Sequence, residues 1–228
     1  MGKIIVITGG AEGLGKAIAT RLAKNNKVII LDTNKELLSK TADELNCQTI
    51  VCDISNPQQV KSTIEKIIES HEAIDILINN AGIWIEGLLE SSDDEKIRQV
   101  FETNCLGTIF MTKNVLPAMK KRNEGTIINI VSTSGLIAKT ERSVYNSSKW
   151  AMTGFTKCLQ EELKGTNIRV MGLYPSFMKT RLFENAGISR DDYDKALDPD
   201  ELAKTIEFVL SLDPTTSFPE IEIKNIKY

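Results

Sequence analysis

The chain has 228 residues, of which 41% are hydrophobic, and its 28 basic and 31 acidic residues leave a net charge of −3. A chain of this size buries the core of one α/β domain, so we predict a single domain over residues 1–228. The basic residues form no run that would bind nucleic acid, and no apolar stretch approaches the ~18 residues of a membrane helix. The first strand pattern begins almost at the N-terminus, which leaves no room for a signal peptide and predicts a cytoplasmic protein.

Cysteine and histidine are too few and too scattered for metal chemistry. The four cysteines lack C-x-x-C spacing, and His71 is the single histidine. We therefore predict no metal site. A Ser-His or Cys-His nucleophile is equally disfavoured, because His71 follows the helical pattern VKSTIEKIIES and fits a solvated position at a helix C-terminus.

Short β-branched runs alternate with longer amphipathic segments in the first third of the chain. In order they are KIIVIT, LGKAIATRLAKNN, KVIILD, ELLSKTADELN, QTIVCD, QQVKSTIEKIIES and IDILINN. Their periods predict the order β-α-β-α-β-α-β. The runs KVIIL and IDILI are almost continuously apolar, which is typical of strands covered by helices on both faces of a parallel sheet.

The rest of the chain continues the alternation. It contains the predicted helix FETNCLGTIFMTKNVLPAMKK, strand GTIINIV, a long helix from Tyr145, strand NIRVMGL, helix DELAKTIEFVLSL and strand EIEIKNI. The pattern predicts an α/β fold with a doubly wound, seven-stranded parallel sheet and helices on both faces. Residues 176–198 show no clear period, which predicts a functional loop or lid. Within them, FENAGISRDDYDKAL fits either a lid that closes over substrate or a solvated helical excursion.

The glycine-rich segment TGGAEGLG, residues 8–15, joins the first strand to the first helix. Such a junction gathers unpaired backbone N–H groups and the positive end of the helix dipole, which together bind anions. Gly9 allows the tight turn, Gly13 lets the backbone approach a pyrophosphate, and Gly15 lets the helix lie close to the strand. A simple tight connection has the same spacing, so the assignment depends on its context.

Asp32 supplies that context, because it ends the second strand. Dinucleotide-binding units place an acidic residue there to accept hydrogen bonds from the adenosine ribose. The carboxylate repels a 2′-phosphate, and neither Glu12 nor Thr33 adds a positive charge, so we predict NAD as the cofactor, with NADP less favoured. A second interpretation, compatible with the first, makes Asp32 the N-cap of the helix near TNKELL.

A second group of polar residues follows in the other half of the chain. Tyr145 and Lys149 stand four residues apart and lie one helical turn from each other. An ammonium near a phenol lowers the phenol pKa from about 10, and burial lowers the lysine pKa. Ser132 ends the strand TIINIVS at the sheet edge where ligands bind, and its hydroxyl can hold a substrate carbonyl. Each residue alone also fits a structural role, as a packing tyrosine, a snorkelling lysine or a turn-capping serine.

Together these motifs resemble those of the short-chain dehydrogenase/reductase family. The matching segments, in the family's order, are TGGAEGLG at 8–15, CDI at 52–54, NNAG at 79–82, Asn104 in FETNCLG, Ser132, YNSSK at 145–149 and PSFMKT at 175–180. The resemblance spans most of the chain and implies one Rossmann-type domain. It implies hydride transfer between a nicotinamide cofactor and a carbonyl or secondary alcohol on a small-molecule substrate. A homodimer or homotetramer is also implied.

The resemblance assigns catalytic roles to four positions. Tyr145 would be the general acid in carbonyl reduction and the base in alcohol oxidation, with Lys149 lowering its pKa and holding the nicotinamide ribose. Ser132 would orient the reacting oxygen, and Asn104 would hold a water that relays protons. The implied cofactor-binding residues are Gly9, Glu12, Gly13, Leu14, Gly15, Asp32, Thr33, Cys52, Asp53, Ile54, Asn80, Ala81, Gly82, Tyr145, Lys149, Pro175, Phe177 and Thr180, with Asp53 at the adenine ring and Thr180 at the nicotinamide carboxamide.

Several features remain open at the level of sequence. Ser176 replaces the glycine that often follows proline in the family, which predicts an altered backbone near the nicotinamide. Trp84 and Ile85 are placed to border a substrate pocket, whereas Trp150 fits helix packing or a subunit contact. The scatter of basic residues disfavours a highly anionic substrate. The alternative function is a non-catalytic dinucleotide-binding redox sensor or partner-binding module, which needs no acid/base residues.

Overall fold

Seven strands form one sheet in this structure, a computed structural model that describes residues 2–227. They are β1 (Ile4–Thr8), β2 (Lys27–Asp32), β3 (Gln48–Val51), β4 (Ile76–Asn79), β5 (Gly125–Ile130), β6 (Ile168–Pro175) and β7 (Glu220–Ile223). Their order is β3-β2-β1-β4-β5-β6-β7, and every neighbouring pair is parallel. The predicted doubly wound sheet is confirmed, and its order reverses between β1 and β4, where such sheets open a crevice for ligands.

The α-helices pack on both faces of this sheet. They are α1 (Gly13–Leu22), α2 (Lys35–Leu45), α3 (Pro57–His71), α4 (Asp94–Phe101), α5 (Thr108–Arg122), α6 (Ser143–Glu162), α7 (Leu182–Asn185) and α8 (Pro199–Ser211). Asn34 caps α2 by accepting a hydrogen bond from the Leu37 N–H at 3.0 Å. The alternative interpretation of Asp32 as this N-cap is therefore wrong, because the helix begins after Asn34 and the nearer side chain reaches its free N–H groups.

The period-2 alternation of β1 divides the core between the two faces. Ile5 and Ile7 pack in a cluster with residues of α1 and α8, whereas Val6 packs in a second cluster with residues of α3, α5 and α6. All three β1 side chains are fully buried. A strand covered on both faces needs apolar residues at consecutive positions, which explains the continuous apolar runs in the sequence.

The helix predicted to start at Phe101 starts earlier, at Asp94. Asp93 caps α4 by accepting a hydrogen bond from the Lys96 N–H at 3.0 Å. Residues 102–107 then widen into a π-helical turn before α5 continues. Few apolar residues mark α4, so its start was hidden in a charged segment. The π turn contains Asn104, and such turns are frequent at functional sites.

The aperiodic segment 176–198 leaves the sheet after β6 and returns before α8. Met178 forms an isolated parallel bridge with Leu197, so the two ends of the segment lie side by side. Between them lie the short helix α7 and a 3₁₀ turn at Tyr193–Lys195. Within residues 2–227, no helix is long and apolar enough to cross a membrane.

Candidate active site

A cleft of about 660 Å³ opens at the carboxyl ends of the central strands. Its walls come from the glycine loop, the ends of β2 and β3, the segment after β4, the segment after β5, the start of α6 and residues 175–190. All of the predicted catalytic and cofactor-binding residues line this cleft except Gly15 and Asn104, which lie behind its wall. The fold thus brings two groups that are far apart in sequence into one site.

The glycine loop has the geometry of an anion cradle. Gly9 and Gly13 have φ values of +62° and +55°, which favour glycine. A Cβ on Gly15 would lie 2.1 Å from the Gly9 carbonyl oxygen, so helix α1 packs directly on the loop. A Cβ on Gly13 would meet only Thr180, at 3.5 Å, so this residue faces the cleft. The loop therefore fits a pyrophosphate beside the N-terminus of α1.

Where β2 and β3 end, the cleft is lined by two carboxylates that accept hydrogen bonds from neighbouring residues. Asp32 accepts hydrogen bonds from the Ala11 N–H at 3.2 Å and the Asn34 N–H at 3.0 Å, one on each oxygen. Asp53 accepts from the N–H and hydroxyl of Ser55 at 2.9 and 2.7 Å. A carboxylate oxygen accepts more than one hydrogen bond, so both acids retain acceptor sites for ribose hydroxyls or an adenine amine.

Tyr145 and Lys149 are both buried in the first turns of α6. The Lys149 ammonium donates to the Ile130 carbonyl at 3.3 Å and lies 5.8 Å from the centroid of the Tyr145 ring. Burial lowers the pKa of Lys149 to about 8, as predicted. Burial also raises the pKa of Tyr145 above its usual range, opposed by the Ser132 hydroxyl and the charge of Arg142. The predicted lowering of the tyrosine pKa is wrong for this structure, because desolvation of the phenolate outweighs the nearby charges.

Ser132 follows β5 in a backbone conformation that L-residues rarely adopt, with φ 154° and ψ 156°. Its oxygen accepts a hydrogen bond from the Ser134 N–H at 3.0 Å, so the turn-capping role exists alongside its place in the cleft. Strained backbone of this kind is concentrated at functional sites.

The Asn104 side chain ties the π turn to the segment after β4. Its oxygen accepts from the Ile83 N–H at 2.8 Å, and its amide donates to the Ile83 carbonyl and the Ser148 hydroxyl at 3.0 and 3.1 Å. A Cβ on Gly82 would lie 3.2 Å from this oxygen and 3.7 Å from the Lys149 ammonium. Gly82 therefore separates Asn104 from the cleft and leaves room beside Lys149.

An aromatic cluster covers Tyr145. The Trp84 ring lies 4.1 Å from the Tyr145 ring and 4.6 Å from Phe183, between ring centroids. Phe177 in turn contacts Phe183 and Tyr193 at 5.3 and 5.4 Å. Segment 176–198 thus packs on the site through aromatic side chains, whereas Trp150 is 51% exposed on the outside of α6.

The cleft also contains residues that were not predicted as site residues, among them Arg142 and Ser176. Arg142 lies one turn before Tyr145, a helical spacing that could have revealed it. Ser176 was noted only as a departure from the family pattern. Its hydroxyl oxygen is buried without a hydrogen-bond partner among residues 2–227, and the residue lines the cleft. A buried hydroxyl of this kind is typical of a site that completes its hydrogen bonds with a polar ligand, as a dinucleotide would.

The sequence is similar to known dehydrogenases and reductases. The family model described as short chain dehydrogenase matches residues 3–191. A 3-oxoacyl-acyl-carrier-protein reductase from Thermotoga maritima is 32% identical over 223 residues, which cover 92% of this chain and 91% of that protein.

Solved structures match over nearly the whole chain. A 3-ketoacyl-(acyl-carrier-protein) reductase from Brucella melitensis, complexed with NADH, has a TM-score of 0.91 at 28% identity and covers 99% of this chain and 98% of its own. The closed form of a serine dehydrogenase, complexed with NADP⁺, has a TM-score of 0.91 at 28% identity and covers 99% of this chain and 96% of its own.

Proposed function

The chain belongs to the short-chain dehydrogenase family of NAD(P)-dependent oxidoreductases acting on CH–OH and C=O groups, and we propose that it uses Tyr145 as acid and base and prefers NAD. One observation carries this proposal: a single cleft is lined by the glycine loop, by Asp32 and by the hydroxyls of Ser132 and Tyr145. A dinucleotide held by the glycine loop and Asp32 would reach the hydroxyls of Ser132 and Tyr145.

The cofactor supplies or accepts the hydride, and the chain positions the substrate and moves the proton. In reduction, the Tyr145 hydroxyl gives its proton to the carbonyl oxygen while the Ser132 hydroxyl holds that oxygen. The raised pKa keeps Tyr145 protonated until this transfer. The ammonium of Lys149 then stabilises the phenolate, and Asn104 holds the backbone of Ile83 so that Gly82 can border the ribose.

The preference for NAD rests on the charge at the adenosine end of the cleft. Asp32 and Glu12 both line it, and Glu12 accepts hydrogen bonds from Arg181 at 3.4 Å and Asn185 at 2.7 Å. A 2′-phosphate entering here would face the carboxylate of Asp32, unpaired among residues 2–227, whereas the charge of Glu12 is partly balanced by Arg181. Comparing the Kd values of NADH and NADPH by fluorescence titration tests this part, and a tighter NADPH complex would contradict it.

Segment 176–198 is proposed as the substrate lid of a single domain, since Phe177 and Phe183 pack over Trp84 and Tyr145.

A homodimer or homotetramer is proposed through the helices that carry Asn104 and Tyr145, where Leu106 and Trp150 are 43% and 51% exposed. Sedimentation that showed only monomer at micromolar concentration would contradict the assembly. The cytoplasmic location stays a prediction, as do the absence of a metal and of nucleic-acid or membrane partners.

A nicotinamide-absorbance screen tests the catalytic proposal. The wild-type protein and Tyr145→Phe are assayed against ketones and secondary alcohols with both cofactors, and NADH binding is measured for each protein. We expect turnover by the wild type and a loss of at least ~10³-fold in Tyr145→Phe with cofactor binding retained. Tight NADH binding by the wild type without turnover on any substrate would favour the non-catalytic sensor instead.

A further inference from the structure

The charged side chains that line the cleft are segregated by sign. The acidic ones come from the first half of the chain and are Glu12, Asp32, Asp53, Glu95 and Glu102. The basic ones all come from the second half and are, besides Lys149, Lys139, Arg142, Arg181 and Arg190. Arg181 reaches back to Glu12 at the glycine loop. The other three come from the segment between Ser132 and Tyr145 and from the segment that covers Tyr145, so folding collects cations that are scattered in the sequence.

Arg142 is a largely buried cation close to Tyr145. It occupies the N-cap position of α6, in the turn before Tyr145, and its side chain is only 13% exposed. The guanidinium lies over the Trp84 ring, 5.0 Å from its centroid, and the same ring lies 4.1 Å from that of Tyr145. The indole is therefore a rigid spacer between the cation and the phenol.

The carboxylate partner of Arg142 holds it only loosely. The Nε and Nη2 atoms of Arg142 both donate to a single oxygen of Glu86, at 3.4 and 3.3 Å. The other Glu86 oxygen accepts from the Trp84 indole at 3.2 Å. By contrast, Arg190 pairs with both oxygens of Asp192 at 2.9 and 2.8 Å.

This geometry leaves Arg142 with unused donor capacity. A guanidinium has five N–H donors, and charge-assisted bonds to carboxylates are normally 2.7–2.9 Å long. Glu86 does not belong to the cleft wall, whereas Arg142 does, so Glu86 orients the guanidinium from behind. A guanidinium whose bonds to one partner are long and reach a single oxygen keeps N–H donors that a second anion can use.

We propose that the substrate carries a carboxylate that Arg142 binds while the reacting carbonyl or alcohol lies at Tyr145. The inference rests on the proposed function and narrows its substrate class to oxo acids and the matching hydroxy acids. In reduction, the carbonyl carbon gains the hydride from the reduced nicotinamide and the oxygen gains the Tyr145 proton, so the oxo acid becomes a hydroxy acid. The planar fork of Arg142 fits two carboxylate oxygens better than a lysine would.

The first readout is binding, and it needs no turnover. The protein has two tryptophans, so in a Trp150→Phe background the emission reports Trp84, which touches Arg142. The NAD⁺ complex is titrated with 2-oxobutanoate, 3-oxobutanoate and 4-oxopentanoate, and each acid is compared with its methyl ester. Oxidised cofactor cannot reduce these oxo compounds, so the titration measures affinity alone. We expect at least one acid to bind tenfold or more tightly than its ester.

Three variants then assign the preference to Arg142. Arg142→Gln is expected to reduce the acid-to-ester ratio of Kd values at least tenfold, and Arg142→Lys to keep part of it through its charge. Arg98→Gln is the matched control, because Arg98 is 68% exposed on α4 and outside the cleft wall, and it should keep the wild-type ratio. The same ratios are measured as kcat/KM with NADH.

The outcomes separate this inference from the proposed function. Equal affinity for acids and esters, or a preference that survives in Arg142→Gln, would overturn the carboxylate site. If neutral ketones were then reduced with dependence on Tyr145, the proposed function would still stand. Acid binding that depends on Arg142, with no turnover of any oxo or hydroxy compound, would instead overturn the proposed function and with it the assignment of a substrate. If Arg142→Gln does not fold, the reduced preference expected in Arg142→Lys decides.

Discussion

Two helical glycines give a matched test of the close packing at the glycine loop. Gly15 lies in α1, and an added Cβ would lie 2.1 Å from the Gly9 carbonyl oxygen and 2.8 Å from the Gly10 Cα. Gly154 lies exposed in α6, where an added Cβ would meet nothing within 4 Å. Alanine in a helix interior is favoured over glycine by about 0.5–1 kcal/mol. Gly154→Ala therefore measures the gain in helix propensity, which is at most as large for Gly15 in the first turn of α1, so the overlap is what sets Gly15→Ala apart.

The expected effects have opposite signs. Gly154→Ala should raise the free energy of unfolding by about 0.5–1 kcal/mol. At Gly15 the overlap is with backbone atoms, so its cost lies at the upper end of the ~1–3 kcal/mol seen for overpacking, and the net loss is about 2 kcal/mol. In a domain of this size, 2 kcal/mol corresponds to a fall in Tm of about 4–8 °C.

Urea unfolding and thermal unfolding of the wild type and both variants measure these differences. Gly15→Ala should also weaken NADH binding, since the Gly9 backbone must move. A Gly15→Ala protein as stable as Gly154→Ala would show that α1 does not lie against the glycine loop, and the account of the pyrophosphate cradle would fail.

Three further predictions follow from the cleft. Folding lowers the pKa of Lys149 from 10.5 to about 8, so between these pH values the unfolded chain binds more protons at this residue than the folded chain. The free energy of unfolding should therefore rise by about 3 kcal/mol from pH 8 to 10.5, and urea titrations of Lys149→Met should lose this rise. Asp32→Ala combined with Thr33→Arg should lower the Kd of NADPH relative to NADH, and an unchanged ratio would mean that Asp32 does not face the ribose. Phe183→Ala removes the ring that packs on Trp84 and should raise KM roughly tenfold while changing kcat less, which steady-state kinetics would show; an unaltered KM would contradict the lid.

The architecture was accessible from the sequence because the sheet is covered on both faces. Runs such as KVIIL and IDILI are apolar at every position, and that pattern, alternating with helical periods, specified the confirmed sheet. The start of α4 at Asp94 was missed because its first turn is charged and its capping depends on Asp93. The N-cap of α2 was placed too early for a similar reason, since Asp32 and Asn34 are both good capping residues and only the chain path selects Asn34.

The candidate site was predictable in its composition and not in its energetics. Tyr145 and Lys149 were linked by their helical spacing, but the rise in the tyrosine pKa depends on burial under Trp84, which spacing does not encode. Arg142 lies three residues before Tyr145, a helical spacing that brings the two residues to one side of α6. It was not predicted as a site residue, because an arginine at the start of a helix usually faces solvent. Ser176 became informative only when its hydroxyl was found buried without a partner among the described residues.

Deuterium transfer tests the central claim most directly. The wild-type protein and Tyr145→Phe are incubated with the oxo substrate found in the screen and with NADH deuterated at the transferred position of C4, and the product is analysed by mass spectrometry. The account predicts one deuterium on the former carbonyl carbon with the wild type, and a rate at least ~10³-fold lower in Tyr145→Phe. Product without deuterium, or an equal rate of transfer by Tyr145→Phe, would contradict the hydride-transfer mechanism based on Tyr145.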